Sequence, residues 1–233
     1  MAYRHRLQSP SPLGQGLEHT GAEQVGKVVC VGRNYADHAR ELNNPVPEQP
    51  LLFIKPATAV VHFEGEIQLP PRFATPHFET EMAILIGRQL CCATDSQALA
   101  AIAGVGVGLD LTLRDVQNQL KSQGHPWERA KAFDGSCVLS AFAPFHPGID
   151  LQQQQVRLWR NGELVQDGNT AAMVFPVVAL LCDISNAFSL QPGDVVLTGT
   201  PAGVGALADG DNLVAAVGDL VRAQAQVRVQ VPR

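Results

Sequence analysis

Apolar positions along this chain fall mostly in short runs or repeat with period two, so strands dominate the expected structure. Val28, Val29, Cys30 and Val31 predict a short buried strand that ends at Gly32, and Leu51 to Ile54 predict another, closed by Lys55-Pro56. Met82 to Ile86 is too apolar for solvent and reads as a buried strand ended by Gly87. From Gly104 to Leu109, glycines alternate with Val105, Val107 and Leu109, which predicts a strand whose glycine side admits a close approach. The runs Val156 to Arg160 and Glu163 to Gln166 flank Asn161-Gly162, a pair suited to the left-handed dihedrals of a type I′ hairpin turn. Near the end, Ala223, Ala225, Val227, Val229 and Val231 alternate with Arg222, Gln224, Gln226, Arg228 and Gln230, a strand with one wet face.

Helical spacing is rarer. Tyr35 to Leu42 predicts a short helix stopped by Asn43-Asn44-Pro45, after which the prolines up to Pro50 form a hinge. Thr94-Asp95-Ser96 offers an N-cap to a helix running through Ile102. Arg114 to Lys121 has helical character, and Val177, Leu180, Leu181 and Ile184 recur at helical spacing after Pro176. Many short strands, few helices and no βαβ alternation point to an α+β, mainly β architecture. Residues 1–24, polar and containing Ser-Pro-Ser-Pro, are expected to form an N-terminal extension, and 25–233 a single domain.

With 233 residues, 45% of them hydrophobic, the chain can bury a sizeable core. A net charge of -5 without any basic run argues against nucleic acid or an anionic membrane as partner. There is neither the apolar core of a signal peptide nor a bilayer-length stretch, so a cytoplasmic location is expected. The five cysteines are odd in number and lack Cys-x-x-Cys spacing, which suggests reduced thiols rather than a disulfide framework or a zinc site. Chemistry must then be sought in a pocket.

Glu79 and Glu81 stand two apart on a strand and share a face, where they repel unless a cation lies between them or one is protonated. A hard divalent cation is the economical answer, and a solvated Glu-x-Glu face the ordinary one. Asp110, on the glycine side of its strand, supplies a third oxygen; three carboxylates without histidine or thiol favour Mg²⁺ or Mn²⁺. Arg114, Gln117 and Lys121 fall on one helix face and offer donors to a bound carboxylate. His38 and Glu41, three apart, are either a surface pair or a dyad in which the carboxylate fixes the imidazole as a base. Other features carry less. Glu64-Gly65-Glu66 reads as a solvated turn, Lys55 as a solvated strand end, and the glycines before Leu109 lack the third glycine and the helix that a dinucleotide loop requires.

Taken together, His77-Phe78-Glu79-Thr80-Glu81, the run Leu109 to Gln117, the run Trp127 to Asp134, the run Leu197 to Gly205 and the segment Gly32-Arg33-Asn34-Tyr35 resemble the fumarylacetoacetate hydrolase family. The likeness runs in order from about Lys27 to the C-terminus and is nearest to the short, single-domain branch of acylpyruvate hydrolases and oxaloacetate-acting enzymes. It implies a mixed β-sandwich roll with the site at one mouth, and a homodimer. His38 and Glu41 become the water-activating dyad of a lid helix, Lys131 projects toward a metal-bound 2-oxo acid, and Thr200 adds a hydroxyl contact to its carboxylate.

The implied activity is hydrolysis of the carbon-carbon bond of an acylpyruvate through an enolate. Oxaloacetate decarboxylation, oxaloacetate keto-enol tautomerisation and a 2-hydroxyhepta-2,4-diene-1,7-dioate isomerase activity are alternatives that share this intermediate. One departure stands out: Leu109-Asp110-Leu111-Thr112-Leu113 replaces the family's Asn-Asp-x-Ser-Ala type of sequence and brings apolar residues beside the ligand. In a non-catalytic alternative the ion merely staples Glu79, Glu81 and Asp110, and that reading has no joint use for His38, Glu41, Lys131 and Arg114.

Overall fold

The structure, a computed structural model, describes residues 3–6, 24–69 and 75–229. The chain passes through β1 (Lys27–Gly32), α1 (Ala36–Glu41), β2 (Leu51–Pro56), β3 (Val60–His62), β4 (Glu66–Leu69), β5 (His77–Phe78), β6 (Thr80–Ile86), α2 (Asp95–Ala100) and β7 (Ile102–Asp110). It continues through α3 (Arg114–Ser122), α4 (Glu128–Lys131), β8 (Cys137–Leu139), β9 (Ala143–Pro144), β10 (Gln155–Arg160), β11 (Glu163–Asn169) and α5 (Val177–Ala187). The last strands are β12 (Val195–Leu197), β13 (Gly205–Ala206), β14 (Asn212–Val217) and β15 (Val221–Val229). A mixed eight-stranded sheet, ordered β2-β1-β12-β6-β7-β8-β3 with β9 beside β7, faces a five-stranded sheet ordered β11-β10-β14-β15-β4. The strand-rich α+β architecture expected from the sequence is the one observed.

β6 lies in the middle of the larger sheet and is buried along its whole length. Met82, Ile84 and Ile86 enter the core shared with Val156, Leu158 and Leu213 of the second sheet, while Ala83 and Leu85 enter a second core with Val28, Leu139 and Phe142. Burial on both faces is why this run shows no apolar-polar alternation. The glycine side of β7 faces the second core. A Cβ on Gly106 would come 2.8 Å from Phe142 and one on Gly108 2.7 Å from Leu197, so what approaches the glycines closely is packing side chains. Asp110 emerges where that stripe ends.

The hairpin closes as expected, with Arg160 opposite Glu163 and φ of 54° and 85° at Asn161 and Gly162. Thr94 caps α2 in a capping box with Gln97, but the helix stops at Ala100, because Ile102 is already paired opposite Ile86 in the sheet. Glu64 and Glu66 are exposed around Gly65, as the turn reading requires. Residues 7–23 of the expected N-terminal extension, and positions 230 and 231 of the terminal alternation, lie outside the described residues. Among the described helices none is long and apolar enough to cross a membrane.

His5, a polar residue of the N-terminal extension, is docked against the second core. Its ring meets Phe142 and Tyr3 edge-on, and Nε2–H donates to the Gly193 carbonyl at 2.8 Å, while the buried Nδ1 has no partner among the described residues. Burial pushes the imidazole pKa down to about 4. Between that value and the ordinary 6.5 the unfolded chain binds the extra proton, so stability falls on acidification. Wild type should therefore lose about 2 kcal/mol more than a His5→Phe variant between pH 6.5 and 5. Urea denaturation at the two pH values measures this, and equal losses in the two proteins would count against a neutral buried His5.

Candidate metal centre and active site

The β5–β6 junction and the end of β7 build an acidic cluster. The Asp110 amide donates to the Glu79 carbonyl at 2.8 Å, which fixes the two residues side by side. Glu79, Glu81 and Asp110 are all buried, and each contributes a carboxylate oxygen to a group lying within 4.8 Å of one another. Glu81 Oε2 accepts the Gly199 amide at 2.6 Å. Gly199 has φ of 99°, and a Cβ there would stand 2.6 Å from that of Asn34; only glycine lets the Thr198-Gly199-Thr200 turn present this amide.

Fixed cations surround the cluster. Lys131 Nζ donates to Glu79 Oε2 at 2.9 Å, Asp110 Oδ2 at 2.5 Å and Thr112 Oγ1 at 2.6 Å. Burial alone would discharge this lysine, but Asp110 and Glu79 more than reverse that and hold its pKa above the ordinary value. All three of its protons are thus directed at Glu79, Asp110 and Thr112. Arg114 pairs with Glu79 and donates from Nη1 to Gln117 Oε1 at 2.7 Å, while its buried Nε has no acceptor among the described residues. For Glu79, burial pulls the carboxyl pKa up, yet Lys131 and Arg114 outweigh it and hold it well below the usual range. Glu81 goes the other way: burial first, then the charges of Asp110 and Glu79, push its carboxyl well above that range.

Lys55, expected at a solvated strand end, is completely buried. Its ammonium reaches the carbonyls of Leu111 at 3.3 Å, Ser136 at 3.0 Å and Lys131, one for each of its three protons. Asp110 Oδ1 lies 2.8 Å from the same nitrogen, close enough for charge attraction, yet among the described residues it has no well-aligned hydrogen-bond donor. A buried carboxylate oxygen without a donor, a Glu81 satisfied by one amide, and a donor set made only of oxygens fit a hard divalent ion such as Mg²⁺ or Mn²⁺. Glu79, Glu81 and Asp110 would hold it.

The other predicted residues gather around this cluster, with one exception. His38 is buried on α1, and its Nδ1 lies 3.3 Å from Glu41 Oε2. Glu41 Oε1 in turn accepts the Gly203 amide at 3.0 Å, mooring α1 to the loop after Thr200. Thr200 is buried, and its hydroxyl accepts from Gln166 Nε2 at 2.9 Å. Gln166 also receives the Thr80 amide at 3.0 Å and donates to the Pro201 carbonyl at 2.9 Å, so a hairpin residue with no sequence signal joins the loop to β6. Lys121 is the exception: it reaches Asn44 Oδ1 at 2.8 Å, beyond α1, instead of joining Arg114 and Gln117. A cavity of about 400 Å³, lined by Phe53, His125, Trp127 and Lys131 among others, adjoins the cluster.

The family described as fumarylacetoacetate (FAA) hydrolase C-terminal matches residues 27–228. Over 190 residues, 81% of this chain and 87% of its relative, the sequence is 52% identical to the oxaloacetate tautomerase YcgM of Escherichia coli. It is 39% identical to the mitochondrial oxaloacetate tautomerase FAHD1 of Bos taurus over 190 residues, 82% of this chain and 86% of that protein. The crystal structure of fumarylpyruvate hydrolase from Pseudomonas aeruginosa in complex with Mn²⁺ and pyruvate superposes with a TM-score of 0.87 at 32% identity, covering 98% of this chain and 97% of that one.

Proposed function

The chain belongs to the fumarylacetoacetate hydrolase family, and we propose that it is a divalent-metal-dependent oxaloacetate keto-enol tautomerase rather than the acylpyruvate hydrolase expected first. The observation that carries this reading is the likeness to the oxaloacetate tautomerase of Escherichia coli along most of both chains. Charge supports it. Three carboxylates, Glu79, Glu81 and Asp110, face three fixed cations, Lys55, Lys131 and Arg114, so a divalent ion would leave an excess of two positive charges, which a dicarboxylate neutralises.

Bound Mg²⁺ or Mn²⁺ would supply the Lewis acidity that makes the C3 protons of a 2-oxo acid labile. The residues around it do the rest. Arg114, whose Nε–H has no acceptor among the described residues, and Gln117 orient the carboxylate next to the keto group. Glu41 accepts from His38 Nδ1–H, leaving Nε2 to deliver a proton to C3 as the enol hydroxyl gives up its own to solvent, and to take the C3 proton while the oxygen gains one in the reverse direction. Gln166 and Gly203 hold Thr200 and Glu41 in position and so keep the dyad and the loop in register.

Exchange of enol-oxaloacetate to the keto form in the presence of Mg²⁺, followed by ultraviolet absorbance, tests the proposal against parallel assays of acetylpyruvate cleavage and CO₂ release. Exchange should be the fastest, and His38→Ala should slow it about 10²-fold, the usual scale of a proton carrier, with Mg²⁺ affinity unchanged. The fumarylpyruvate hydrolase neighbour supports hydrolysis as a second reading. Unchanged exchange in His38→Ala together with lost acetylpyruvate cleavage would return the dyad to activating water.

A further inference from the structure

The cavity of about 400 Å³ beside the acidic cluster is unused in the oxaloacetate reading, since its volume lies in the range of pockets that enclose ligands much larger than a four-carbon acid. Its lining includes Leu51, Phe53, His125, Trp127, Glu128 and Lys131. Leu51, Phe53 and Lys55 share one face of β2, and Lys55, at the inner end, lies 2.8 Å from Asp110 Oδ1. Strand parity therefore sets Phe53 on the cluster side, about 7 Å outward from Lys55 along the strand.

Trp127 is brought to the same place by α4. Its carbonyl accepts the amides of Ala130 at 2.8 Å and Lys131 at 2.9 Å, so one helical turn carries both the indole and the lysine. The Lys131 ammonium, 2.5 Å from Asp110 Oδ2, stands 4.9 Å from the centroid of the Phe53 ring, and the Phe53 and Trp127 rings lie 6.1 Å apart with 58° between their planes. Two rings opened at this angle offer a third ring both edge and face contacts. The cavity thus begins at the ammonium that bounds the acidic cluster and continues along an aromatic wall. Its charge suits a neutral guest. Among the described residues that line it, Lys131 is the only lysine or arginine, and its protons are directed at Glu79, Asp110 and Thr112, while the exposed Glu128 would repel a second carboxylate.

We propose that this cavity receives the aromatic ring of an arylpyruvate, and that the protein exchanges the enol and keto forms of such acids as a second activity. Phenylpyruvate is the simplest case. Its ring stands on C3, the carbon that gains or loses the proton, and in the enol the ring is conjugated with C2=C3, so the molecule is a flat plate of the kind an aromatic wall takes up. In ketonisation His38 Nε2 delivers a proton to C3, where the C2=C3 electron pair forms the new C–H bond. The enol O–H bond breaks, its electron pair completes the C2=O bond, and its proton goes to solvent. Enol and keto forms are isomers, and no oxidant or co-reactant is consumed. The activity rests on the metal and the dyad of the tautomerase reading; the cavity does not.

Calorimetry on the Mg²⁺-loaded protein with (S)-3-phenyllactate and (S)-lactate tests the cavity, because both carry the same 2-hydroxy acid and only the first has the ring. Wild type should bind phenyllactate about tenfold or more tighter, the scale of burying a phenyl side chain. Trp127→Ala and Phe53→Leu, made separately so that misfolding of one leaves the other to decide, should each remove most of that preference, while lactate affinity holds. A spectroscopic check leaves the cavity intact. Trp127 and Trp159 are the only tryptophans, so Trp159→Phe makes Trp127 the sole emitter, and phenyllactate should change its fluorescence where lactate does not. For the activity, wild type should speed the loss of ultraviolet absorbance of enol-phenylpyruvate, and His38→Ala should slow it about 10²-fold. Equal affinities in wild type, a preference that survives in both variants, or unchanged Trp127 emission overturns the cavity assignment, and tight phenyllactate binding without ketonisation overturns the activity. If enol-phenylpyruvate is exchanged and oxaloacetate is not, the oxaloacetate reading falls and the arylpyruvate inference stands.

Discussion

Glu81→Ala is expected to weaken Mg²⁺ and Mn²⁺ binding by at least about 10²-fold in calorimetry, and to remove oxaloacetate exchange with it, since losses of 10- to 100-fold already follow from mutating residues that only support a metal ligand. The sharper expectation concerns stability. Without an ion, Glu81 has a single amide donor and sits among two other carboxylates, so its removal relieves repulsion. The metal-free variant should melt at or above the wild-type temperature. Wild type, however, should gain about 2.7 kcal/mol at a metal concentration of 100 times its own Kd, and the variant no more than about 0.4 kcal/mol. Glu79→Ala is the contrast, because there Lys131 and Arg114 lose a partner and the metal-free protein should melt lower. Wild-type Mg²⁺ affinity in Glu81→Ala would sink the assignment of the ligands.

Glu79 and Glu81 were legible as a pair because strand parity is a local property, although Glu79 falls in the one-residue break between β5 and β6, where the Asp110 amide holds its carbonyl. Asp110 was legible from its place at the end of the alternation Gly104 to Leu109, although the purpose of the glycines was not, since Phe142 and Leu197 come from segments that spacing cannot locate. The hairpin at Asn161-Gly162 was legible for the same local reason, its turn chemistry. What could not be read depends on register between remote strands. Lys55 pairs opposite Val28, a strand already read as buried, and its acceptors come from three later segments. Gln166 looks like any polar residue of a hairpin until β11 is laid beside the Thr198 to Pro201 loop. The choice between exchange and hydrolysis is beyond motif spacing, because in the proposed reading both would draw on the same carboxylates and the same dyad; the likeness to an oxaloacetate tautomerase over 81% of the chain favours exchange.

Lys55→Met is the second substitution expected to have a large effect, although Lys55 gives no proton to the cluster. Methionine matches the length of the aliphatic stem, so the packing against β1 survives and the change isolates the ammonium. Its removal leaves Asp110 with one counter-ion fewer and takes a donor from the carbonyls of Leu111, Lys131 and Ser136, all inside the protein. Truncating one partner of a buried ion pair costs about 3–5 kcal/mol, and urea denaturation of the metal-free variant should show a loss of that order. Metal should reverse part of it. A divalent ion on Asp110 restores positive charge beside the orphaned carboxylate, so the deficit should shrink at saturating Mg²⁺, although the three carbonyls remain unserved. A deficit equal with and without Mg²⁺ would mean that the carbonyls account for all of it and that Lys55 is a structural clamp. A smaller deficit with the ion would identify it as a counter-charge to Asp110 that the metal can replace in part.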